Sequence, residues 1–452
     1  MPSHSDNWSK RIGEVFDTRP LVAIKDRARW MDRSEEKLFR SSIVCPGVHV
    51  CLYGPSGSGK TSLAKTILGR LSNKGHKFIY AKLNHSSNWD SFKSQILENR
   101  AAKSAVEKRI GVKIGIKNLL PYLEFDGEIP GGSLGSAISR NEVVSAISIS
   151  EIGQFLIDSD LLLDVDDVNF ADDDLLQILT DLAKYVTDNS EGSSTKIIFI
   201  GADDIFSRLI SLEDSLKDRT DEISLGSVRD ISEVNAGVKK DKVWEFISSG
   251  MVQLDLADPR KDKYITNEQR KECIQWINYA ADGLPKSIVT LGRRIAELGG
   301  YRTRVSHADI LDASKQMVSR NYRQYRSKFR SLIFLIQKDK VVQELCLWMF
   351  KRGASKIHRL EDLGEDLHDV ATYTMFDEAL GILSEMKFLT VTGGDRNVFF
   401  ARDPLLAHTI GVALYEPEKC GVDPNLFKNN TAVQQMLLRF TGNKDPENKN
   451  SI

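Results

Sequence analysis

A chain of 452 residues has room for about three domains of the usual ~150 residues, so a core with accessory domains is the expected scale. Its composition is that of a globular protein, 41% hydrophobic and 28% charged, and 62 basic against 63 acidic residues exclude bulk attraction to nucleic acid or membrane surfaces. The five cysteines, Cys45, Cys51, Cys273, Cys346 and Cys420, lack CxxC spacing, which speaks against a disulfide framework or a zinc site. With no apolar leader in Met1 to Trp8 and no run of about 18 apolar residues, a cytoplasmic protein is expected.

In chain order, Trp8 to Ser42 holds an expected helix, Arg27 to Phe39, after a stretch Val22-Ala-Ile-Lys25 suited to lining a base pocket. The apolar run Val48 to Tyr53 reads as a strand, and a helical pattern follows from Ser62 to Leu71. Between them lie Gly54, Pro55, Ser56, Gly57, Ser58, Gly59, Lys60 and Thr61, the spacing of a phosphate-binding loop in its required strand, loop and helix setting. Glycines let the backbone curl so that its N–H groups, with the helix N-terminus at Ser62, face phosphate oxygens. Lys60 is then expected at the β and γ phosphates of a nucleoside triphosphate such as ATP, and the Thr61 hydroxyl on Mg²⁺.

A second strand, Lys77 to Leu83, is followed by a connection of roughly 75 residues, long enough to need structure of its own. Gly111 to Lys117 and Leu119 to Ile129 alternate like strands before Pro130 to Gly135, so an inserted hairpin at about 95–150 is one reading and a disordered insertion the other. The run Leu161-Leu-Leu-Asp-Val-Asp-Asp-Val-Asn169 then ends in carboxylates, as expected of a buried strand whose C-terminal edge carries a site. Asp166 is read as the metal residue and Asp167 as the one that polarises water, while an alternative register gives the metal to Asp164, on the same strand face as Asp166. Asp172 to Val186 reads as a helix with acids in its first turn and an apolar face of Leu175, Ile178, Leu179, Leu182 and Val186. The next strand, Lys196 to Ile200, ends at Gly201-Ala-Asp-Asp204, and Arg219 precedes a last short strand.

Two helices, Asn267 to Ala280 and Leu284 to Leu298, flank Gly283-Leu-Pro-Lys286, a rigid turn that aims the second helix. Tyr322 to Arg330 is basic and aromatic, and reads either as a phosphate-backbone contact or as the start of a helix joining two domains. Val341 to Phe350 and Phe376 to Met386 read as helices, and Phe388 to Phe400 as a β-hairpin around Gly-Gly-Asp. Helices followed by a hairpin resemble a winged helix. Its presumed recognition helix carries Asp377, Glu378 and Glu385, which repel phosphates and favour a protein partner. The tail from Thr441 to Ile452 is polar.

The order of these parts resembles the AAA+ superfamily over about Val44 to Leu298, and within it the initiator and origin-recognition ATPases, the transposition regulators and the STAND signalling ATPases. The resemblance implies an α/β fold: a parallel-sheet P-loop core at 44–230, a helical lid at 231–320 and a winged-helix-like domain at 321–440, after an N-terminal helical segment at 1–43. It places Arg219 where a ring ATPase has its arginine finger, and Lys286 at the sensor-2 position. A finger acts across a subunit interface, so a homo-oligomer is implied; the alternative for Arg219 is a surface ion pair with Asp218 or Asp221. Lys286 stands where Arg is usual, and Gly-Ala-Asp-Asp where the sensor-1 strand ends, which points to slow, regulatory hydrolysis. The implied function is an ATP-dependent switch controlling oligomer or partner assembly, host defence with a separate effector included. The alternative is a DNA-associated initiator or loader.

Overall fold

In a computed structural model of the chain, the described residues are 4–409 apart from 20–32, 34, 99–144, 146, 192, 203–204, 227–241, 282, 301, 303, 353–357, 368–372, 387, 393–397 and 402–405. Five strands, β1 (His49–Tyr53), β2 (Lys77–Lys82), β3 (Leu161–Asp166), β4 (Lys196–Gly201) and β5 (Thr220–Ser224), form a parallel sheet in the order β2-β3-β4-β1-β5. β1, β3 and β4 are buried at every position, as parallel strands covered on both faces must be.

The N-terminal helices are α1 (His4–Val15) and α2 (Glu35–Val44), and α3 (Lys60–Ser72) comes after β1. Phe39 and Ile43 of α2 and Leu63, Ile67 and Leu68 of α3 cover one sheet face, against Val50, Leu52, Leu162, Ile198 and Ile200. The opposite face is packed by α4 (Trp89–Glu98), α5 (Ile149–Asp158), α6 (Asp173–Asn189) and α7 (Ile205–Leu212) through Ile96, Leu156, Leu179, Val186 and Leu209. Local signals fix where these helices start. Ser148 and Glu151 make a capping box on α5, and the Asp172 carboxylate accepts from the Leu175 N–H at 2.8 Å on α6.

Beyond the sheet come α8 (Lys242–Gln253), α9 (Asn267–Ala281), α10 (Pro285–Gly299) and α11 (His307–Lys338), a helix of 32 residues. One apolar core joins them to the C-terminal elements, α12 (Lys340–Arg352), β6 (His358–Arg359), α13 (Leu360–Leu367), α14 (Tyr373–Glu385), β7 (Leu389–Thr392) and β8 (Val398–Ala401). The last three strands form an antiparallel sheet in the order β6-β8-β7.

Several expectations shift. The helix expected at Arg27 to Phe39 is α2, at Glu35–Val44, because its buried residues are Phe39, Ser42 and Ile43; 20–32 lie outside the described residues. α1 belongs to the helical layer after the sheet, since Phe16, just past its end, enters a notch made by Gly250 and Gly292 and meets Phe246 edge-on at 6.4 Å. Tyr322 to Arg330 falls in the middle of α11, which runs through the expected boundary at 320/321 as one helix, in place of the helix start read there. The strands expected at 111–129, the hairpin turn at 393–395 and the tail lie outside the described residues. No helix among the described residues is long and apolar enough to cross a membrane.

Candidate nucleotide site

All five strands run the same way, so the loop after β1 and the acids ending β3 come to one edge of the sheet. Gly59, with φ of 94°, precedes α3 in a left-handed conformation that a side chain resists, which turns the loop into the helix. Gly54 is required for another reason: a Cβ there would lie 2.2 Å from the Leu225 carbonyl oxygen. The first-turn N–H groups of α3, from Lys60 onward, have no helical acceptors and open toward the loop. Inside it the Ser58 hydroxyl is fully buried with no hydrogen-bond partner among the described residues.

Lys60 folds back, its Nζ donating to the carbonyls of Gly54 at 2.6 Å and Pro55 at 3.0 Å. Thr61 Oγ1 donates to the Asp166 carboxylate at 3.0 and 3.1 Å, so the hydroxyl and the acid expected to share an ion already touch. Asp166 also accepts from the Tyr80 hydroxyl at 2.8 Å and from the Asp167 N–H at 3.0 Å. Burial, then the Asp166 charge, raises the Tyr80 phenol, which stays a donor. Tyr80 carries the Lys65 ammonium 4.0 Å over its ring.

Asp167 lies just past the strand with φ of 58°, a rare conformation for a residue with a side chain and one that turns its carboxylate out of the sheet. There it meets Lys82 Nζ at 3.1 Å, and this hydrogen bond raises the Lys82 pKa. Asp164 differs in kind. It is fully buried, and both carboxylate oxygens lack a hydrogen-bond partner among the described residues. Burial, reinforced by the Asp166 charge and opposed by Lys65, drives its pKa well above the usual carboxylate value and so favours the protonated form.

The helical layer reaches the same edge. The Lys286 N–H, at the start of α10, donates to the Gly57 carbonyl at 3.4 Å, and a Cβ on Gly57 would lie 3.2 Å from the Lys286 Cβ. Arg33 also arrives, donating to the Ser58 carbonyl and, at 3.1 Å, to that of Gly226; burial pulls its pKa down to about 10. Nothing in the sequence pattern marks Arg33, Tyr80 or Lys82. Tyr80 and Lys82 become site residues only through the β2–β3 register, which sets them beside Asp164 and Asp166.

Arg219 is not gathered into this site. It precedes Thr220, which pairs with His49 at the start of β1, so it sits at the opposite sheet edge, about five residues or ~16 Å of strand from the loop. Its ion-pair partner is Asp188 at the end of α6, in place of the Asp218 or Asp221 expected from proximity in sequence. Asp203 and Asp204 lie outside the described residues.

The cradle fits a triphosphate tail, and the Thr61–Asp166 oxygen pair fits Mg²⁺, which takes few protein ligands and completes its shell with water and phosphate. Among the described residues there is no group of three or more His, Cys, Asp or Glu that would form a separate all-protein metal site.

Residues 47–209 match a family model described as an AAA domain. No curated protein matches the chain in sequence. Among solved structures, the Walker-type ATPase PABY2304 of Pyrococcus abyssi is similar at 15% identity and a TM-score of 0.49, over 88% of this chain and 99% of that one. The ORC2 protein of Aeropyrum pernix, in ADPNP and ADP complexes, is similar at 12% identity and 0.44, over 94% and 98%. Cdc6p of Pyrobaculum aerophilum is similar at 14% and 0.42, over 88% and 96%. Likenesses at these identities concern the course of the chain and carry nothing about activity.

Proposed function

We propose that the chain, whose residues 47–209 match the AAA domain model, is a slow, regulatory ATPase switch whose nucleotide state controls assembly with copies of itself or with a protein partner. The observation that carries this reading is the direct contact of Thr61 with Asp166, which joins the phosphate loop to the acidic strand, with Lys286 resting on Gly57 beside it. In this reading Lys60 exchanges its loop carbonyls for the β and γ phosphates of ATP, and the N–H groups of Gly57 to Ser62 hold the remaining oxygens. Thr61 and Asp166 hold Mg²⁺, which when bound neutralises charge on the transferring phosphate. Asp167 orients the attacking water and Lys82 orients Asp167. Lys286 reports the nucleotide to the helical layer, and Arg219 serves the neighbouring copy's site, being out of reach of its own. Arg33, a cation held by carbonyls alone among its described hydrogen bonds, adds positive charge at the loop. Lys286 is a point charge without Arg's fork, which suits nucleotide sensing better than fast turnover.

The C-terminal elements, in the order helix, strand, helix, helix, strand, strand, are read as a winged helix. Signalling with a separately encoded effector, host defence included, is the finer form of the proposal. A DNA-loading role is the weaker alternative, because Asp377 and Glu378 are exposed on the helix that would enter a groove. Calorimetry with Mg²⁺ and ATP tests the core of the reading. Lys60→Ala should abolish uptake, while Asp167→Asn should retain it and slow turnover by about 10²-fold or more. If the unaltered chain takes up neither ATP nor GTP, the proposal fails. Normal turnover by the Asp167 variant moves the water-orienting role to Asp164 or Asp166.

A further inference from the structure

The outward face of α14 combines two properties that seldom coincide on a solvated helix. Its buried side, Phe376, Ala379, Leu380 and Leu383, packs into the core. A flank about a quarter turn round from that side leaves Met375 43% exposed and Ile382 36% exposed, with Met386 at 41% just past the helix end. Steps of seven and four residues set these three in one stripe. Val391 on β7, 38% exposed, adds an apolar position on the next strand.

The charged residues on α14 itself have one sign. Asp377, Glu378 and Glu385 are exposed on α14, and the helix carries no Lys, Arg or His. In a chain whose charges sum to -1 over its full length, this is a local acidic, apolar surface. A duplex presents phosphates to such a helix and is repelled. A helix with an apolar stripe flanked by Lys or Arg offers a matching shape for Met375, Ile382 and Met386 and matching charges for the acids.

We infer that the exposed face of α14 is a docking surface for a basic amphipathic helix of a partner protein. This deepens the partner half of the proposed function and rests on it. The test reads binding without nucleotide, so its failure leaves the ATPase reading standing and failure of that reading leaves the docking result intact. The probe is a labelled helical peptide with Leu at i, i+4 and i+7 and flanking Lys, beside a twin with each Lys replaced by Glu and a duplex DNA of similar length. Fluorescence anisotropy on the full chain should show the basic peptide binding at least about tenfold more tightly than its acidic twin, a difference of ~1.4 kcal/mol. Ile382→Asp, and separately the pair Glu378→Lys and Glu385→Lys, should each weaken the basic peptide by about tenfold, the exposed charge-reversed pair with the thermal midpoint unchanged. The charge-reversed pair should bring the twin's affinity up. Absent or equal binding of the two peptides, indifference to the substitutions, or tighter binding of the duplex would overturn the inference. So would self-association abolished by Ile382→Asp, which assigns the face to a second copy.

Discussion

At the residue scale the two acids of β3 are neighbours in sequence and opposites in environment. Asp166 is given charge-stabilising donors by Thr61, Tyr80 and its own following N–H, whereas Asp164 has none among the described residues. A raised carboxyl pKa in the folded state means stability that is full below the unfolded pKa and lost as pH rises through the folded one, so at pH 7 Asp164 costs the protein stability. Asp164→Val should therefore raise stability by about 1–3 kcal/mol in urea unfolding while leaving Mg²⁺-dependent ATP binding in place. Loss of that binding would instead assign the metal to Asp164. His49 works with the opposite sign. Its Nδ1 accepts from the Ile197 N–H at 3.0 Å, its Nε2–H donates to the Ala183 carbonyl at 2.9 Å, and burial pulls its pKa down to about 4 from 6.5. Being neutral when folded, it contributes stability above pH 6.5 that is lost as pH falls toward 4, on the order of 3 kcal/mol across that window. Urea midpoints measured from pH 7 to pH 4 should fall for the native chain and flatten for His49→Gln.

At the element scale α1 has a role that no motif announces. Although it opens the chain, it packs on α10, and Phe16 fills the space that a Cβ on Gly250 or Gly292 would claim at 2.4 or 2.3 Å. Arg11 adds an exposed ion pair with Asp255, worth little by itself. Phe16→Ala leaves a cavity in that notch and should cost about 3–5 kcal/mol. Gly292→Ala forces the same ring aside and should cost about 1–3 kcal/mol. Thermal unfolding of the two variants should therefore rank Phe16→Ala as the less stable, and an unchanged midpoint in both would mean α1 is not seated there in solution.

At the scale of the whole molecule, the loop and Arg219 lie at opposite ends of the strands of one sheet, so any phosphate loop that Arg219 serves belongs to a neighbouring chain. If Arg219 acts on a neighbour, then Lys60→Ala and Arg219→Ala chains should each be nearly inactive alone and regain turnover when mixed, since a mixed interface unites an intact loop with an intact arginine. Hydrolysis assays across mixing ratios check this. A mixture no more active than its parts would return Arg219 to the status of a surface partner of Asp188. Light scattering with a slowly hydrolysed ATP analogue provides the matching measurement of size.

Much of the core is legible in the chain itself because it is written in local terms. The phosphate loop needs glycines and one lysine at fixed spacing, the buried strands read as apolar runs, and the helices show an apolar period, so β1, β3, β4, α3, α6, α9 and α10 lie within a few residues of where pattern places them. What pattern does not hold is adjacency. That Tyr80 and Lys82 serve Asp166 and Asp167 depends on β2 lying beside β3, and the arrival of Arg33 at Ser58 joins residues with no periodic relation. Phe16 reaching Gly292, and Asp188 rather than Asp218 holding Arg219, result from packing across the chain. Sequence alone determined which chemistry the loop supports, because phosphate binding is built from consecutive backbone groups. Tertiary structure alone decided which side chains surround it, because burial and ion pairing act through space between segments whose separation along the chain leaves no trace in composition or period.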